Sequence, residues 1–383
     1  MKKFLLYSIL TLMGVTGLRT AEFGTRQELG KVNDDRMHEL SGMVAGRTSP
    51  GILWAHNDSG DEARVFAMNK KAELVGVLNI KGAVNYDWED IGIGPGPVPG
   101  ANYLYIGDHG DNDAVRKSIS VVRVQEPDVD TLGSKPFTAL SSPSETIRLK
   151  YPDGARDAES MFVDPASGDI YIISKRETKV RVYRAAYPQS TTDTTTLEYL
   201  LELPYGSLGI PNNGVTAADI SPDGKEILIK TYLNVYYYTR AEGESITDAL
   251  KKTAVVLSYT MEPQGEAICW DNAGAGFYTI SELGSGSGVV LYFYPRLGTS
   301  VKKNDESESI EIIPSDGYFV VNFGRNSELP ETVGLYNVTG KAAAEINVVS
   351  TTTAIPENGI ASGLYFLVIK YRNRVVTRVL TLY

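Results

Sequence analysis

Glu39-Leu-Ser41-Gly-Met43, Asp87-Trp-Glu89-Asp-Ile91, Asp157-Ala-Glu159-Ser-Met161, Thr216-Ala-Ala218-Asp-Ile220 and Gln264-Gly-Glu266-Ala-Ile268 share one shape. Each places a polar or acidic side chain ahead of a hydrophobic run that opens a strand. They recur at intervals of roughly fifty to seventy residues, the spacing of a repeated supersecondary unit built from several strands. The third unit parses into strands at 159–164, 170–175, 180–184 and 197–203, with Pro165-Ala-Ser-Gly168 as the first turn. The fourth repeats this around Pro222-Asp-Gly224. The fifth supplies only three strands, and Arg26–Val32 is an unassigned segment of the right length. The expected fold is therefore all-β: a five-bladed β-propeller over residues 22–299, closed by that N-terminal strand, which removes an exposed edge. Six blades is the alternative if 125–145 holds further structure.

Residues 1–17 read as a signal peptide: Lys2 and Lys3, an apolar stretch from Phe4 to Val15 too short to span a bilayer, and small residues at Val15-Thr-Gly17. No other segment has transmembrane length. Its removal takes two lysines and no acid, leaving the chain more acidic than the −10 of the full sequence. No basic stripe remains for phosphates, so nucleic acid is not an expected partner. The single cysteine, Cys269, lies in an apolar strand and reads as a buried structural thiol.

Residues 300–308 are a polar, charged linker, and 309–383 read as a small Ig-like β-sandwich with clean alternation in Leu364-Tyr-Phe-Leu-Val-Ile-Lys370. This tail resembles the C-terminal sorting domain of type IX secretion cargo. The resemblance rests on Gly334-Leu-Tyr-Asn-Val-Thr-Gly340-Lys341, Ile360-Ala-Ser-Gly-Leu-Tyr-Phe-Leu-Val-Ile369 and Arg374-Val-Val-Thr-Arg378-Val-Leu; Pro314-Ser-Asp-Gly departs from the usual Pro-Asn-Pro start. It implies the type IX machinery as partner, passage through the periplasm and delivery to the outside or the outer cell surface, with removal of the tail and attachment through lipopolysaccharide.

Within a blade, the loops joining strands two and three lie on the face where strand one begins. Those loops are His56-Asn-Asp-Ser-Gly-Asp61, Asp108-His-Gly-Asp-Asn112, Lys175-Arg-Glu177, Thr231-Tyr-Leu-Asn234 and Ser281-Glu-Leu-Gly284. Side chains two apart on a strand share a face. The sequence therefore predicts an outer ring of Glu39, Asp87, Asp157, Thr216 and Gln264, and an inner ring of Ser41, Glu89, Glu159, Ala218 and Glu266. Bare carboxylates in a narrow channel repel by several kcal/mol, on the order expected in a poorly solvated site. A hard cation relieves this, and an all-oxygen donor set favours Ca²⁺. Alternatively, some of these acids hydrogen-bond backbone amides of neighbouring blades.

The inner ring resembles the calcium-activated nucleotidase (apyrase) family, a five-bladed propeller in which Ser, Glu, Glu, Ser and Glu surround a central Ca²⁺. The matching positions are Ser41, Glu89, Glu159 and Glu266, with Ala218 as the departure and Thr216, Asp219 or a water as substitutes. The resemblance implies hydrolysis of nucleoside di- and triphosphates. The expected chemistry is metal-dependent hydrolysis of a phosphate ester or anhydride, with Asp87 or Asp157 as base. His56, Asp58, Asp108, His109, Lys175, Arg176 and Lys230 would contact a small anionic substrate. Two other readings share the architecture: a surface module binding glycan or protein around structural Ca²⁺, and a glycoside hydrolase with paired carboxylates.

Overall fold

The computed structural model describes residues 22–129, 137–206, 214–282 and 288–297, and then 310–315, 318–323, 329–337, 341–356, 359–361, 363–372 and 374–382. The expected signal peptide and the 300–308 linker lie outside the described residues, as do 283–284 of the fifth loop. The chain divides into two compact units, Met1–Gly298 and Thr299–Tyr383.

The described residues of the first unit form five sheets of four or five strands. Their innermost strands are Leu40–Ala45, Trp88–Pro95, Ala158–Val163, Val215–Ile220 and Gly265–Trp270. Each pairs antiparallel with the strand that follows it in sequence. The first sheet continues through Ile52–Asn57, Arg64–Asn69 and Leu74–Lys81, and the second through Asn102–Asp108, Ile119–Gln125 and Glu145–Lys150. In the third come Ile170–Ser174, Val180–Ala185 and Glu198–Leu203, and in the fourth Glu226–Thr231, Val235–Thr239 and Val255–Leu257. The fifth has Gly276–Ser281 and Val290–Leu297, and Gln27–Lys31 pairs antiparallel with the latter, as the sequence predicts for the N-terminal segment.

Segment 125–145 does contain a strand, Phe137–Pro143, which adds in parallel to the outer edge of the first sheet; among the described residues the first unit has no sixth sheet. The helix Ile246–Leu250 was not expected; Ser245 caps it, its hydroxyl accepting the Asp248 N–H at 3.0 Å.

Burial follows position. The innermost strands are buried nearly throughout, whereas the outer strand Glu145–Lys150 alternates between exposed and buried positions. A strand covered on both faces must be apolar almost continuously, so each polar side chain there needs a reason. Five apolar cores separate the sheets: first from second, second from third, third from fourth, fourth from fifth, and fifth from first. Cys269 sits in the last of these as a free, buried thiol. The turns joining first to second strands use Gly168 and Gly224 with φ near +77° and +71°, where a Cβ would be strained.

The second unit has a three-stranded sheet, Ile310–Ser315, Tyr318–Phe323 and Thr352–Pro356, and a four-stranded one, Thr332–Asn337, Ala342–Asn347, Gly363–Tyr371 and Arg374–Leu382. They share one core that includes Phe319, Val321, Leu335, Leu367 and Ile369.

Candidate functional site

Each innermost strand carries an irregularity at the same place. In the first sheet Leu40 faces Asn57 and Gly42 faces His56, so Ser41 is left over as a bulge. The corresponding extra residues are Glu89, Glu159, Thr216 and Glu266. A bulge breaks the two-residue alternation and re-aims one side chain, a device common beside functional sites. This corrects the fourth position predicted from sequence: Thr216, not Ala218, occupies it. The Asp219-Ile220 pair resembles Asp90-Ile91, but it stands three residues past its bulge rather than one. A hydroxyl therefore takes the place where alignment on that dipeptide puts a methyl group.

Beside these bulges the acids cluster. Ligand-capable atoms of Asp58, Asp87 and Glu89 lie within 4.8 Å of one another, and so do those of Glu89, Asp157 and Glu159, so that Glu89 belongs to both groups. Either group could hold a metal ion. Gly110 packs on them so closely that a Cβ would overlap Glu89 Oε1 and the Asp87 carboxyl. Asp111 N–H donates to Asp157 Oδ1 at 2.9 Å. Ser41 is less available than the ring pattern suggests, because its hydroxyl donates to the Glu89 carbonyl at 2.6 Å.

The two groups differ in their neighbours. Lys175 pairs with Glu159, and Arg176 pairs with Asp157 and approaches Glu159 Oε1 at 3.9 Å. Lys175 also donates to the Tyr232 hydroxyl at 3.2 Å, which donates in turn to Glu266 Oε1. Glu266 Oε2 is buried without a hydrogen-bond partner. Tyr232 was missed in the sequence, since a lone tyrosine in a four-residue loop has no periodic signal.

Crowding shows in the protonation equilibria. Burial pushes Asp58 up to about 6, with Asp87 and Glu266 adding to the rise. Burial, then Glu159, holds Glu89 well above the ordinary carboxylate value. Burial also raises Asp87 and Asp108 against the pull of Arg116. Glu159 is pushed up to about 8 by burial although Lys175 opposes it. Lys175 loses stability as an ammonium through burial, but Glu159 and Glu266 more than restore it, so its value is raised.

The remaining predicted residues lie deeper than surface loops imply. His56 and His109 are fully buried; their Nδ1 atoms lie 2.9 Å from Asn57 O and 2.7 Å from Ala158 O. Desolvation lowers both imidazoles to about 4, leaving them neutral at pH 7. Lys230 is also fully buried and donates to Gly265 O, with Thr216 Oγ1 at 3.5 Å. Asp108 is buried and ion-paired with Arg116 at 2.8 Å. Of the predicted substrate contacts, Arg176 is half exposed.

Two further buried acids, Asp90 and Asp219, hold backbone amides. Asp90 Oδ1 accepts from Ile91 N–H, and its Oδ2 accepts from Met161 N–H at 2.9 Å and Ala218 N–H at 3.1 Å, in the third and fourth sheets. Asp219 accepts from Ile220 and from Trp270 in the fifth, both at 2.8 Å. The backbone role anticipated for some of the ring acids is taken by Asp157, through the Asp111 amide, and otherwise by the neighbouring Asp90 and Asp219.

Comparison with known proteins identifies the tail. The family described as "Secretion system C-terminal sorting domain" matches residues 313–382. A C-terminal sorting domain of the type IX system directs the protein to the secretion machinery and to the outside or outer surface of the cell. No curated protein matches the chain. Among solved structures it is similar to PorZ of Porphyromonas gingivalis, described as an essential bacterial surface component of the type-IX secretion system. That likeness has 13% identity and a TM-score of 0.32 over 89% of this chain and 51% of PorZ, so the chain spans about half the length of that protein. Among the described residues no helix is long and apolar enough to cross a membrane.

Proposed function

We propose that residues 22–299 are a five-bladed propeller whose acid-lined mouth binds Ca²⁺, and that the exported protein uses this ion to hydrolyse a phosphate ester or anhydride. Residues 309–383, after the 300–308 linker, are its sorting sandwich. The circuit of five shared cores, in which the fifth sheet packs on the first, supports the ring. Five bulges at equivalent places support a common axis for Ser41, Glu89, Glu159, Thr216 and Glu266.

The observation that carries the proposal is the pair of carboxylate groups sharing Glu89. Every donor is oxygen, no cysteine or exposed imidazole intrudes, and buried carboxylates are held far from their preferred charge. This fits a hard cation with six to eight oxygen ligands. In this reading Asp58, Asp87 and Glu89 hold the ion, with Asp157 and Glu159 beside it. When bound, Ca²⁺ supplies polarisation of a phosphoryl oxygen. Arg176, half exposed beside Asp157, meets the anionic end of the substrate, and the Asp111 N–H keeps Asp157 oriented towards it. Asp157 is the base, because Asp87 is engaged as a ligand. Lys175, Lys230, His56 and His109 are too buried to touch substrate and shape the mouth from behind.

The pairing of Asp157 and Glu159 with cations of the same chain favours a second reading, a glycan- or protein-binding propeller with structural Ca²⁺. Titration of CaCl₂ into the full chain, with turnover of nucleotides and phosphomonoesters measured with and without chelator, tests both. The enzymatic proposal expects calcium binding, chelator-sensitive turnover, and a loss of calcium affinity of about tenfold or more in Glu89→Gln. Binding without turnover leaves the structural reading; absence of binding refutes both.

A further inference from the structure

The acid ring already contains a cation. Lys175 is only 7% exposed, yet its ammonium reaches Glu159 Oε2, the Tyr232 hydroxyl at 3.2 Å and the face of the Tyr232 ring, 5.0 Å from the centroid. The chain makes room for it: a Cβ on Gly214 would overlap the Lys175 stem. Its amide is fixed by the Asp157 carbonyl at 3.0 Å. Through Tyr232 it is linked to Glu266, a residue 6% exposed whose Oε2 has no hydrogen-bond donor. On the other side of Glu89 the balance is opposite. Among the described residues Asp58, Asp87 and Glu89 form no ion pair, Arg116 being paired with Asp108 and reaching Asp87 only through its field, although the three stand close enough to share one ligand.

We infer that Lys175 is a tethered counter-cation filling the Glu159–Glu266 side of the ring, so that the chain binds one calcium ion, on the Asp58–Asp87–Glu89 side, and gains a second site when the ammonium is removed. This rests on the calcium reading above. The physical ground is competition for the same oxygens. An ammonium supplied by the fold needs no association from solution, and its desolvation is offset by two carboxylates and an aromatic face. Where no such group is supplied, three carboxylates remain for an ion from outside. The lysine thereby sets both the number of ions and their place off the ring's centre.

Isothermal titration of CaCl₂ into the full-length protein and its Lys175→Met variant decides the matter through stoichiometry, with no enzymatic readout. The inference expects one ion per chain in the wild type and two in Lys175→Met, returning to one when Glu159→Gln is added. Two ions in the wild type, or one in both proteins with unchanged affinity, overturns it while leaving the calcium reading standing. No binding in either removes both. Binding in Lys175→Met alone overturns the inference, since it removes the wild-type calcium site. If Lys175→Met does not fold, a crystal of the wild type grown in CaCl₂ gives the same decision. An ion against Asp58, Asp87 and Glu89 with Nζ still on Glu159 supports the inference. An ion between Glu159 and Glu266, with Lys175 displaced, overturns it.

Discussion

Asp58, Asp87 and Glu89 all hold their protons more tightly than isolated carboxyls do, Asp58 to about 6. Two pH effects of known sign follow. Without calcium, the unfolded chain releases these protons near the ordinary value of 3.8 for Asp, whereas the folded chain keeps the Asp58 proton to about 6. Stability from this group is therefore full below 3.8 and is lost as pH rises to about 6. The proposed calcium would bind the ionised carboxylates, so its affinity should rise over the same interval and its binding should release protons. Melting curves from pH 4 to 7, with and without calcium, should diverge as pH increases; parallel curves would refute the assignment. Much of this site was legible at residue level, because Asp87, Glu89, Asp157 and Glu159 repeat an i, i+2 spacing. Thr216 was legible only as an outer-ring residue and a substitute for Ala218: similarity of a dipeptide outweighed a bulge that leaves no mark in composition.

At the level of elements, strand order follows from alternation and turn residues, and the third unit's outer strand and the N-terminal strand were placed within a residue. Parallel additions escaped notice because they depend on long-range pairing. Phe137–Pro143 returns to Leu74–Lys81 past the first three strands of the second sheet, and nothing local encodes that return. The N-terminal strand could be anticipated only from a missing partner in the fifth sheet. Gln27–Lys31 pairs along Val290–Leu297, and Leu29 packs on the core shared by fifth and first sheets. Deleting residues 22–31 should destabilise the first unit by about 3 kcal/mol or more, counting lost ladder bonds at about 1 kcal/mol each. Chemical denaturation measures this; an unchanged midpoint would show that the strand contributes no closure.

For the whole molecule, delivery and binding are assigned to different parts of the chain. The sorting tail could be recognised from short motifs because its matching residues lie within one stretch of about seventy residues, whereas the acid site exists only after distant strands assemble. Removing residues 309–383 should leave the protein inside the outer membrane, as cell fractionation would reveal, while the calcium stoichiometry of the purified remainder stays that of the full chain. Loss of binding on truncation would mean that the tail contributes to the site. The amide bridges of Asp90 carry a last implication for such an assembly. In the proposed propeller, a carboxylate that ties the second sheet's inner strand to both the third and the fourth, one residue beyond Glu89, would close the passage beneath the acids. Entry and exit then share a single doorway, so an anion seated over the metal should act as its stopper, and chelators should strip the ion more slowly while that anion is present.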